Sequence, residues 1–334
     1  MRSLKKITIV LFFITFITFH LVLMKPHLID SNLIQEEALP STSSSTESNS
    51  IPIKRIIIVT TWRSGSTFVG DIIKSAPGVF YSFEPLLYLD HHAGSKTALI
   101  QSIFQCQFTA DFLRSVNGLS GLPNDMQRNR RVWDECHYNR SLCHDPHFVG
   151  SLCSYSPVNL IKTVRLRVKE LNTLLKNDPS SKDWKIVYLV RDPRGTMSSR
   201  DGLKWCQINP ACNNVNRLCT ELVEDLELIK ELVDQFPNRH YLVKFEDLAT
   251  NVESGTEKLF QFLEMPVLKP TTAFLDSHTK SNDQKLKENF LNFDHSTFRK
   301  SDAVAYGWKN KMDVKRIANI TSICASALDA LDNI

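Results

Sequence analysis

The chain has little net charge outside its first six residues. Its 334 residues carry a formal net charge of +4, and Arg2, Lys5 and Lys6 supply three of these positive charges. The remainder is close to neutral, which argues against a nucleic-acid-binding protein because such proteins carry extended basic patches. A chain of this length has room for one or two domains with a large hydrophobic core.

The amino-terminal apolar segment lacks the features of a cleaved signal peptide. Residues 7–24 are almost entirely apolar, and the sequence MKPHLID that ends and follows them contains no small-residue cleavage site. At ~1.5 Å per residue, a helix of this length covers roughly 27 Å, which is enough for a thin bilayer. The positive residues precede it, so residues 1–6 are expected to be cytoplasmic, 7–24 a transmembrane signal anchor, and the rest lumenal. A cleaved signal peptide is the alternative.

The segment after the predicted anchor is too polar to form a core. Residues 25–52 include the tract STSSSTESNS, which predicts a flexible stem in front of a single lumenal domain over 53–334. Asn139 and Asn319 each begin an Asn-x-Ser/Thr triplet and are predicted glycosylation sites on exposed surfaces. The predicted topology is therefore single-pass type II, with the body of the chain in the secretory pathway.

The eight cysteines include no C-x-x-C pair, the spacing typical of many zinc sites. An alternative zinc site would draw on neighbouring Cys and His residues, namely Cys136, His137, Cys143, His144 and His147. All eight cysteines follow the apolar segment, and an even number in an oxidising compartment favours disulfides instead. The clusters at 106–153 and 206–219 are expected to staple insertions.

Short apolar runs separated by amphipathic stretches predict an α/β fold. The predicted strands are 56–59, a strand just before Glu84, 160–166, 185–190 and 241–245. The predicted helices are 68–73, one beginning after Asp192, 217–236 and 255–263. This alternation implies a mostly parallel sheet flanked by helices, with ligands at the carboxyl ends of its strands.

The stretch RIIIVTTWRSGSTF at 55–68 resembles a phosphate-binding P-loop but lacks two of its residues. The pattern G-x-x-x-x-G-K-[ST] requires glycine at 60 and lysine at 66, where this chain has Thr60 and Ser66. The positive charge comes from Arg63 inside the loop. A nucleoside triphosphatase needs the lysine and usually Mg²⁺, so this loop suits a less charged anion without a metal. An ordinary strand–turn–helix corner is the alternative.

A second anion site is predicted at the end of the strand 185–190. Arg191 follows this strand directly, and Ser199 lies almost two turns into the helix that Asp192 and Pro193 begin. A guanidinium and a hydroxyl placed together suit a phosphate group. A structural ion pair of Arg191 with Asp192 or Glu246 is the alternative.

These stretches together resemble the Golgi carbohydrate sulfotransferases, in the branch that sulfates the 6-hydroxyl of galactose, N-acetylgalactosamine or N-acetylglucosamine. The matching segments are TWRSGSTF at 61–68, VFYSFEPL at 79–86, IKTVR at 161–165, LVRDPR at 189–194 and SSR at 198–200. The resemblance extends from about residue 55 to 330. The family's Gly-Tyr near the carboxyl terminus is absent here, where Asp332 and Asn333 follow Leu331.

The resemblance implies that the donor is 3′-phosphoadenosine 5′-phosphosulfate and that no metal is required. It assigns the 5′-phosphosulfate to the loop formed by Arg63, Ser64, Gly65, Ser66, Thr67 and Phe68. It assigns the 3′-phosphate to Arg191 and Ser199. The acceptor would be a glycan or glycosaminoglycan, and a lumenal P-loop kinase or an inactive glycan-binding relative are the alternative functions.

Sulfuryl transfer requires charge stabilisation at the leaving phosphate and a base for the attacking hydroxyl. Arg63 is the predicted stabiliser, and Glu84 is the predicted base because Pro85 favours an extended backbone that could aim the carboxylate into the cleft. Alternatively, Glu84 orders Arg63 or binds the sugar. Lys162 and Arg165 are predicted to contact the sulfuryl group or the acceptor, or else to extend from the sheet edge into solvent. His91 and His92 are a further candidate for the base.

Overall fold

The computed structural model describes residues 52–91, 94–118, 124–280 and 301–334. The predicted tail, the anchor and nearly all of the stem lie outside these ranges. Within the described residues, no helix is both long and apolar enough to span a bilayer.

Five parallel strands form one sheet with the order β2-β3-β1-β4-β5. The strands are β1 (Lys54–Val59), β2 (Val79–Phe83), β3 (Val158–Thr163), β4 (Lys185–Val190) and β5 (His240–Lys244). Helical segments connect every pair of consecutive strands, so the predicted α/β fold with a parallel sheet is confirmed.

Helices follow each strand and cover the sheet. They are α1 (Ser66–Lys74), α2 (Lys96–Phe104), α3 (Ala110–Val116), α4 (Arg130–Cys136), α5 (Pro146–Ser154), α6 (Val168–Asn177), α7 (Pro193–Asp201), α8 (Lys204–Gln207), α9 (Pro210–Asn213), α10 (Val215–Gln235), α11 (Phe245–Thr250), α12 (Val252–Phe262), α13 (Lys269–Leu275), α14 (Ser301–Tyr306), α15 (Trp308–Lys311), α16 (Val314–Ile323) and α17 (Ala325–Asp332).

Successive residues of the central strand supply the two hydrophobic cores. Ile57 and Val59 face a core formed with helices α2, α3, α5, α6 and α10. Ile56 and Ile58 face a second core formed with α1, α11, α12 and α13. Because side chains alternate between the faces of a strand, a run of β-branched residues such as residues 56–59 is buried on both sides.

The strand β3 ends earlier than the sequence pattern predicts. The apolar pattern extends to residue 166, but the pairing with β1 stops at the Val59–Thr163 pair. Beyond it, the N–H of Val164 donates to a Glu84 carboxylate oxygen, and the N–H of Arg165 donates to the Thr163 hydroxyl. Side-chain acceptors thus replace the sheet ladder, and Arg165 lies in the loop beyond the strand.

Four disulfides use all eight cysteines. Cys106–Cys153 and Cys136–Cys143 lie within the insertion between β2 and β3, and Cys206–Cys212 closes a short loop over α8 and α9. These three staple insertions, as predicted. Cys219 instead pairs with Cys324 and joins α10 to the carboxyl-terminal helices, so the prediction for this cysteine is wrong. The alternative zinc site is also wrong, since its two cysteines are bonded to each other.

Candidate functional site

The loop between β1 and α1, residues 60–65, ends in a glycine that no other residue can replace without strain. Gly65 has φ 92°, and a Cβ added there would lie 2.3 Å from two ring carbons of Phe245. Ser64 is buried, and its hydroxyl donates to the Thr61 carbonyl at 3.0 Å. The first N–H groups of α1 have no intrahelical acceptor, so loop and helix together can bind an anion.

Arg63 lies in the middle of this β1–α1 loop with a left-handed backbone, at φ 70°. Its Nε donates to the Ser199 hydroxyl on α7 at 2.9 Å. The structure therefore brings together a residue predicted for the 5′ end of the donor and a residue predicted for its 3′ end.

Arg191 follows β4 and is 7% exposed. Its Nη1 donates to the carbonyl of Arg63 at 2.9 Å, and its Nη2 donates to the carbonyl of Val304 at 3.0 Å. Burial lowers the pKa of Arg191 to about 10. The alternative, an ion pair between Arg191 and Glu246, is also present but is long, with 3.9 Å between Arg191 Nε and Glu246 Oε1.

The predicted loop residues differ in what they present to a ligand. Phe68 is buried in the core, where its ring contacts Phe274, and its N–H donates to the carbonyl of Gly65. Ser66 is buried at the first position of α1, and Thr67 is half-buried beside it. The phenyl ring of Phe68 therefore anchors the loop to the core, while positions 66 and 67 lie at the helix N-terminus.

Glu84 lies at the end of β2 and accepts three hydrogen bonds from the segment that ends β3. Lys162 Nζ donates to Oε1 at 2.5 Å, Arg165 Nη1 donates to Oε2 at 2.7 Å, and the N–H of Val164 donates to Oε2 at 3.3 Å. Glu84 is buried and has φ 48°, so the extended backbone expected before Pro85 is wrong. The three contacts hold the carboxylate in place despite the backbone strain.

Lys162 is fully buried beside Glu84, so the alternative in which its side chain extends into solvent is wrong. Burial lowers the pKa of Lys162, and the neighbouring Glu84 carboxylate acts in the opposite direction. The side chain of Arg165 is 27% exposed. These two cations share one carboxylate, and Arg165 extends the cluster toward solvent.

A cleft of about 400 Å³ lies at the carboxyl edge of the sheet. It is lined by residues of the β1–α1 loop, of the segment after β3, of the end of β4 and of one face of α10, among them Thr60, Thr61, Trp62, Ser64, Arg165, Arg167, Arg191, Glu221 and Asp225. Glu84 lies behind Arg165, whose guanidinium it contacts. The two predicted anion sites and the Glu84 cluster thus converge on the same edge.

Two arginines of this region were not predicted as site residues. Arg167 binds both carboxylate oxygens of Asp225 through its Nε, at 3.0 and 3.1 Å, on the wall of the cleft. Arg200 is buried against the β1–α1 loop. The position of Arg200 directly after Ser199 is a usable sequence signal, whereas the partner of Arg167 on α10 could not be inferred without the fold.

The predicted glycosylation sites lie away from the cleft, and the two histidines considered as bases are not fully described. Asn139 and Asn319 are exposed. His92 lies outside the described residues, and the side chain of His91 is likewise not described. Within the described ranges, no group of three or more His, Cys, Asp or Glu side chains is arranged to hold a metal ion.

A family model of the sulfotransferase domain matches residues 54–332. Human carbohydrate sulfotransferase 5 is 25% identical over 331 residues, which cover 83% of this chain and 76% of the relative. Carbohydrate sulfotransferase 1 of Danio rerio is 27% identical over 342 residues, covering 85% of this chain and 78% of the relative.

The solved structures that match are more distant. The sulfotransferase domain of the Synechococcus PCC 7002 olefin synthase has 14% identity and a TM-score of 0.45, with 82% of this chain and 96% of that chain covered. Mouse sulfotransferase SULT7A1 complexed with PAP has 15% identity and a TM-score of 0.43, with 81% and 82% covered.

Proposed function

The chain belongs to the sulfotransferase domain family, and we propose that it transfers a sulfuryl group from 3′-phosphoadenosine 5′-phosphosulfate to a sugar hydroxyl of a glycan or glycosaminoglycan. The observation that carries the proposal is the convergence of Arg63, Ser199 and Arg191 at one edge of the sheet. The carbohydrate sulfotransferases among its relatives support a sugar acceptor. By resemblance to the same branch, the 6-hydroxyl of galactose, N-acetylglucosamine or N-acetylgalactosamine is the proposed position.

The β1–α1 loop is proposed to hold the 5′-phosphosulfate. The N–H groups at the start of α1 and the Arg63 guanidinium would face the oxygens that gain negative charge during transfer. Arg191 and Ser199 are proposed to hold the 3′-phosphate, whose oxygens would accept hydrogen bonds from the Arg191 guanidinium and the Ser199 hydroxyl.

Glu84 is proposed as the base that accepts the proton of the sugar hydroxyl. An ionised carboxylate has about four acceptor positions, and the three donors around Glu84 occupy three of them. Oε1 receives a single donor, Lys162, and can accept the proton of an attacking hydroxyl. Lys162 and Arg165 would orient the carboxylate and offer positive charge to the sulfuryl oxygens or to an acidic acceptor.

We further propose that residues 7–24 anchor the enzyme in the Golgi membrane, with the catalytic domain in the lumen. The four disulfides are compatible with an oxidising compartment. The exposure of Asn139 and Asn319 supports glycosylation at both. Expression of the full chain in cultured animal cells tests this, because removal of N-glycans should shift its gel mobility by two steps, and by one step after Asn139→Gln or Asn319→Gln.

The decisive experiment is transfer of radiolabelled sulfate by the detergent-solubilised full chain to a panel of desulfated glycans. We expect transfer to at least one glycan without added metal, and binding of 3′,5′-adenosine bisphosphate. Binding of the bisphosphate with no transfer to any glycan would favour the inactive glycan-binding relative. Mg²⁺-dependent binding of ATP with no binding of the bisphosphate would favour the kinase.

A further inference from the structure

Arg200 is a buried cation that touches the β1–α1 loop. It is 1% exposed, and burial lowers its pKa to about 10. Among the described residues, its hydrogen bonds all go to uncharged oxygens, on the loop at one side and on α9 at the other. Burying an arginine without a bonded carboxylate costs free energy. The oxygens that Arg200 does bind therefore indicate what its guanidinium contributes to the structure.

On the loop side, Arg200 fixes the peptide in front of Arg63. Its Nε and Nη2 donate to the Trp62 carbonyl at 3.1 and 3.0 Å, and Nη2 also donates to the Thr61 hydroxyl at 2.8 Å. The carbonyl of Trp62 and the N–H of Arg63 belong to one planar peptide unit, so holding the carbonyl sets the direction of that N–H.

A second buried arginine fixes the peptide on the other side of Arg63. Arg191 donates to the carbonyl of Arg63 itself at 2.9 Å. The two flanking peptides are thereby held by separate guanidinium groups, and Arg63 keeps its φ of 70°. A left-handed backbone is unfavourable for a residue with a side chain, so the loop adopts it only while its surroundings enforce it.

On its other side, Arg200 is held by the small disulfide loop. Its Nη1 donates to the carbonyl of Cys212 at 2.8 Å, and Cys212 is bonded to Cys206. The two cysteines form a buried cluster with Leu203, and Trp62 packs against that cluster. The disulfide therefore supports the β1–α1 loop twice, once through the Arg200 guanidinium and once through the indole ring.

We propose that Arg200 is a positioning residue for the donor loop and that the Cys206–Cys212 disulfide supports it, so that donor affinity depends on this disulfide. The inference rests on the proposed phosphosulfate donor. Arg200 acts through the backbone of Trp62 and Arg63. Loss of either support releases Arg63 from its left-handed conformation, and the loop then has to be reordered each time the donor binds.

The chain contains a matched control for this disulfide. The sequence separation is seven for Cys136–Cys143 and six for Cys206–Cys212, and all four cysteines are buried. In the chain-entropy account, breaking either one should have a similar effect on the unfolded state, because the closed loops are nearly equal in length. The control loop lies in the insertion between β2 and β3 and contributes no residue to the cleft wall.

The experiment compares the two double variants, Cys206→Ser/Cys212→Ser and Cys136→Ser/Cys143→Ser, in the full chain. Binding of 3′,5′-adenosine bisphosphate is measured by calorimetry, and the acceptor KM and the thermal midpoint are measured alongside. We expect the first variant to bind the bisphosphate about tenfold more weakly with an unchanged acceptor KM, and the control to keep wild-type affinity. Equal affinities in both variants would overturn the inference.

A second variant applies if the first does not fold. Arg200→Lys keeps the charge but cannot hold the Trp62 carbonyl, the Thr61 hydroxyl and the Cys212 carbonyl together. We expect it to weaken bisphosphate binding at least fivefold, and unchanged affinity would overturn the inference. If the wild-type chain itself does not bind the bisphosphate, the proposed function fails, which separates that outcome from a failure of the positioning role alone.

Discussion

The Nε atom of Arg63 donates a hydrogen bond to the hydroxyl of Ser199 at 2.9 Å, which joins the β1–α1 loop to helix α7. The two residues are far apart in the chain, and each was assigned to a different end of the donor. Their contact shows that the two halves of the proposed donor site are already assembled across the ends of neighbouring strands β1 and β4.

Replacing Ser199 tests this contact. Ser199→Ala removes the acceptor of the Arg63 hydrogen bond and a proposed ligand of the 3′-phosphate. We expect about a tenfold loss of affinity for 3′,5′-adenosine bisphosphate, because a hydrogen bond to a charged group contributes about 1.5–3 kcal/mol. Ser154→Ala is the control, since Ser154 is an exposed serine that bonds the carbonyl of Gly150 in its own helix. Equal affinities in the two variants would argue against the assignment.

Replacing Glu84 separates catalysis from donor binding. Glu84→Gln keeps the size of the side chain but removes its basicity, so we expect kcat to fall by roughly 10²–10⁴ while bisphosphate affinity stays within about twofold. Steady-state kinetics with a glycan acceptor measures the first quantity and calorimetry the second.

Glu264 is the control for Glu84. It also has a positive φ, at 52°, and it also binds two cations, Lys54 and Lys185. Its partners begin β1 and β4, so it lies at the opposite end of the sheet from the cleft. Glu264→Gln should leave kcat unchanged, and a Glu84→Gln enzyme that also keeps its kcat would exclude Glu84 as the base.

Adding one methyl group at position 65 should abolish donor binding. In Gly65→Ala the new Cβ meets the Phe245 ring at 2.3 Å, and φ of 92° is unfavourable for alanine. Gly202→Ala is the control, because nothing lies within 4 Å of its added Cβ and its φ is −79°. We expect the control to bind the bisphosphate normally. Normal binding by both variants would show that the loop geometry is not needed for the donor.

Acid should destabilise the sheet through His240. Burial lowers the pKa of His240 from 6.5 to about 4, and its Nδ1 is hydrogen-bonded to the Tyr188 hydroxyl at 2.8 Å. The unfolded chain therefore binds more protons between these two pH values. Stability is fully present above pH 6.5 and is lost as the pH falls toward 4, by about 3 kcal/mol at ~1.4 kcal/mol per pKa unit.

Denaturant unfolding of wild type and His240→Gln across this pH range provides the measurement. The difference in unfolding free energy between the two proteins should shrink as the pH falls, because the variant lacks the titrating group. A difference that stays constant from pH 7 to pH 4 would contradict the prediction. The carboxylates titrate in both proteins, so they cancel in the comparison to first order.

Local patterns were sufficient for much of the fold. The apolar run at 185–190 coincides with β4, and the long helix predicted at 217–236 is α10 at Val215–Gln235. The resemblance to sulfotransferases is confirmed by the family match over 54–332. For the strand and the helix the information lies in neighbouring residues, where periodicity and capping preferences act.

Contacts between segments that are distant in the chain could not be predicted from local patterns. Glu84, Lys162 and Arg165 were each placed near strand ends, but their mutual contacts depend on β2 and β3 being neighbours, which the sequence does not encode locally. Cys219 pairs with a cysteine 105 residues away. The backbone of Glu84 also departs from the preference imposed by Pro85, because three hydrogen bonds outweigh a local bias.

The strand order has a consequence for how enzymes with this sheet diversify. The proposed donor contacts lie at the carboxyl ends of β1 and β4. Glu84 and Lys162 lie at the carboxyl ends of β2 and β3, which are the next two strands along the sheet. The long insertion at 85–157 joins β2 to β3 and lies beside the second group, where its residues Leu86 and Lys96 line the cleft. Insertions and substitutions there can change the acceptor during evolution while the donor contacts are inherited intact. A chimera that exchanges this segment with a relative should therefore exchange the sugar preference and keep the nucleotide.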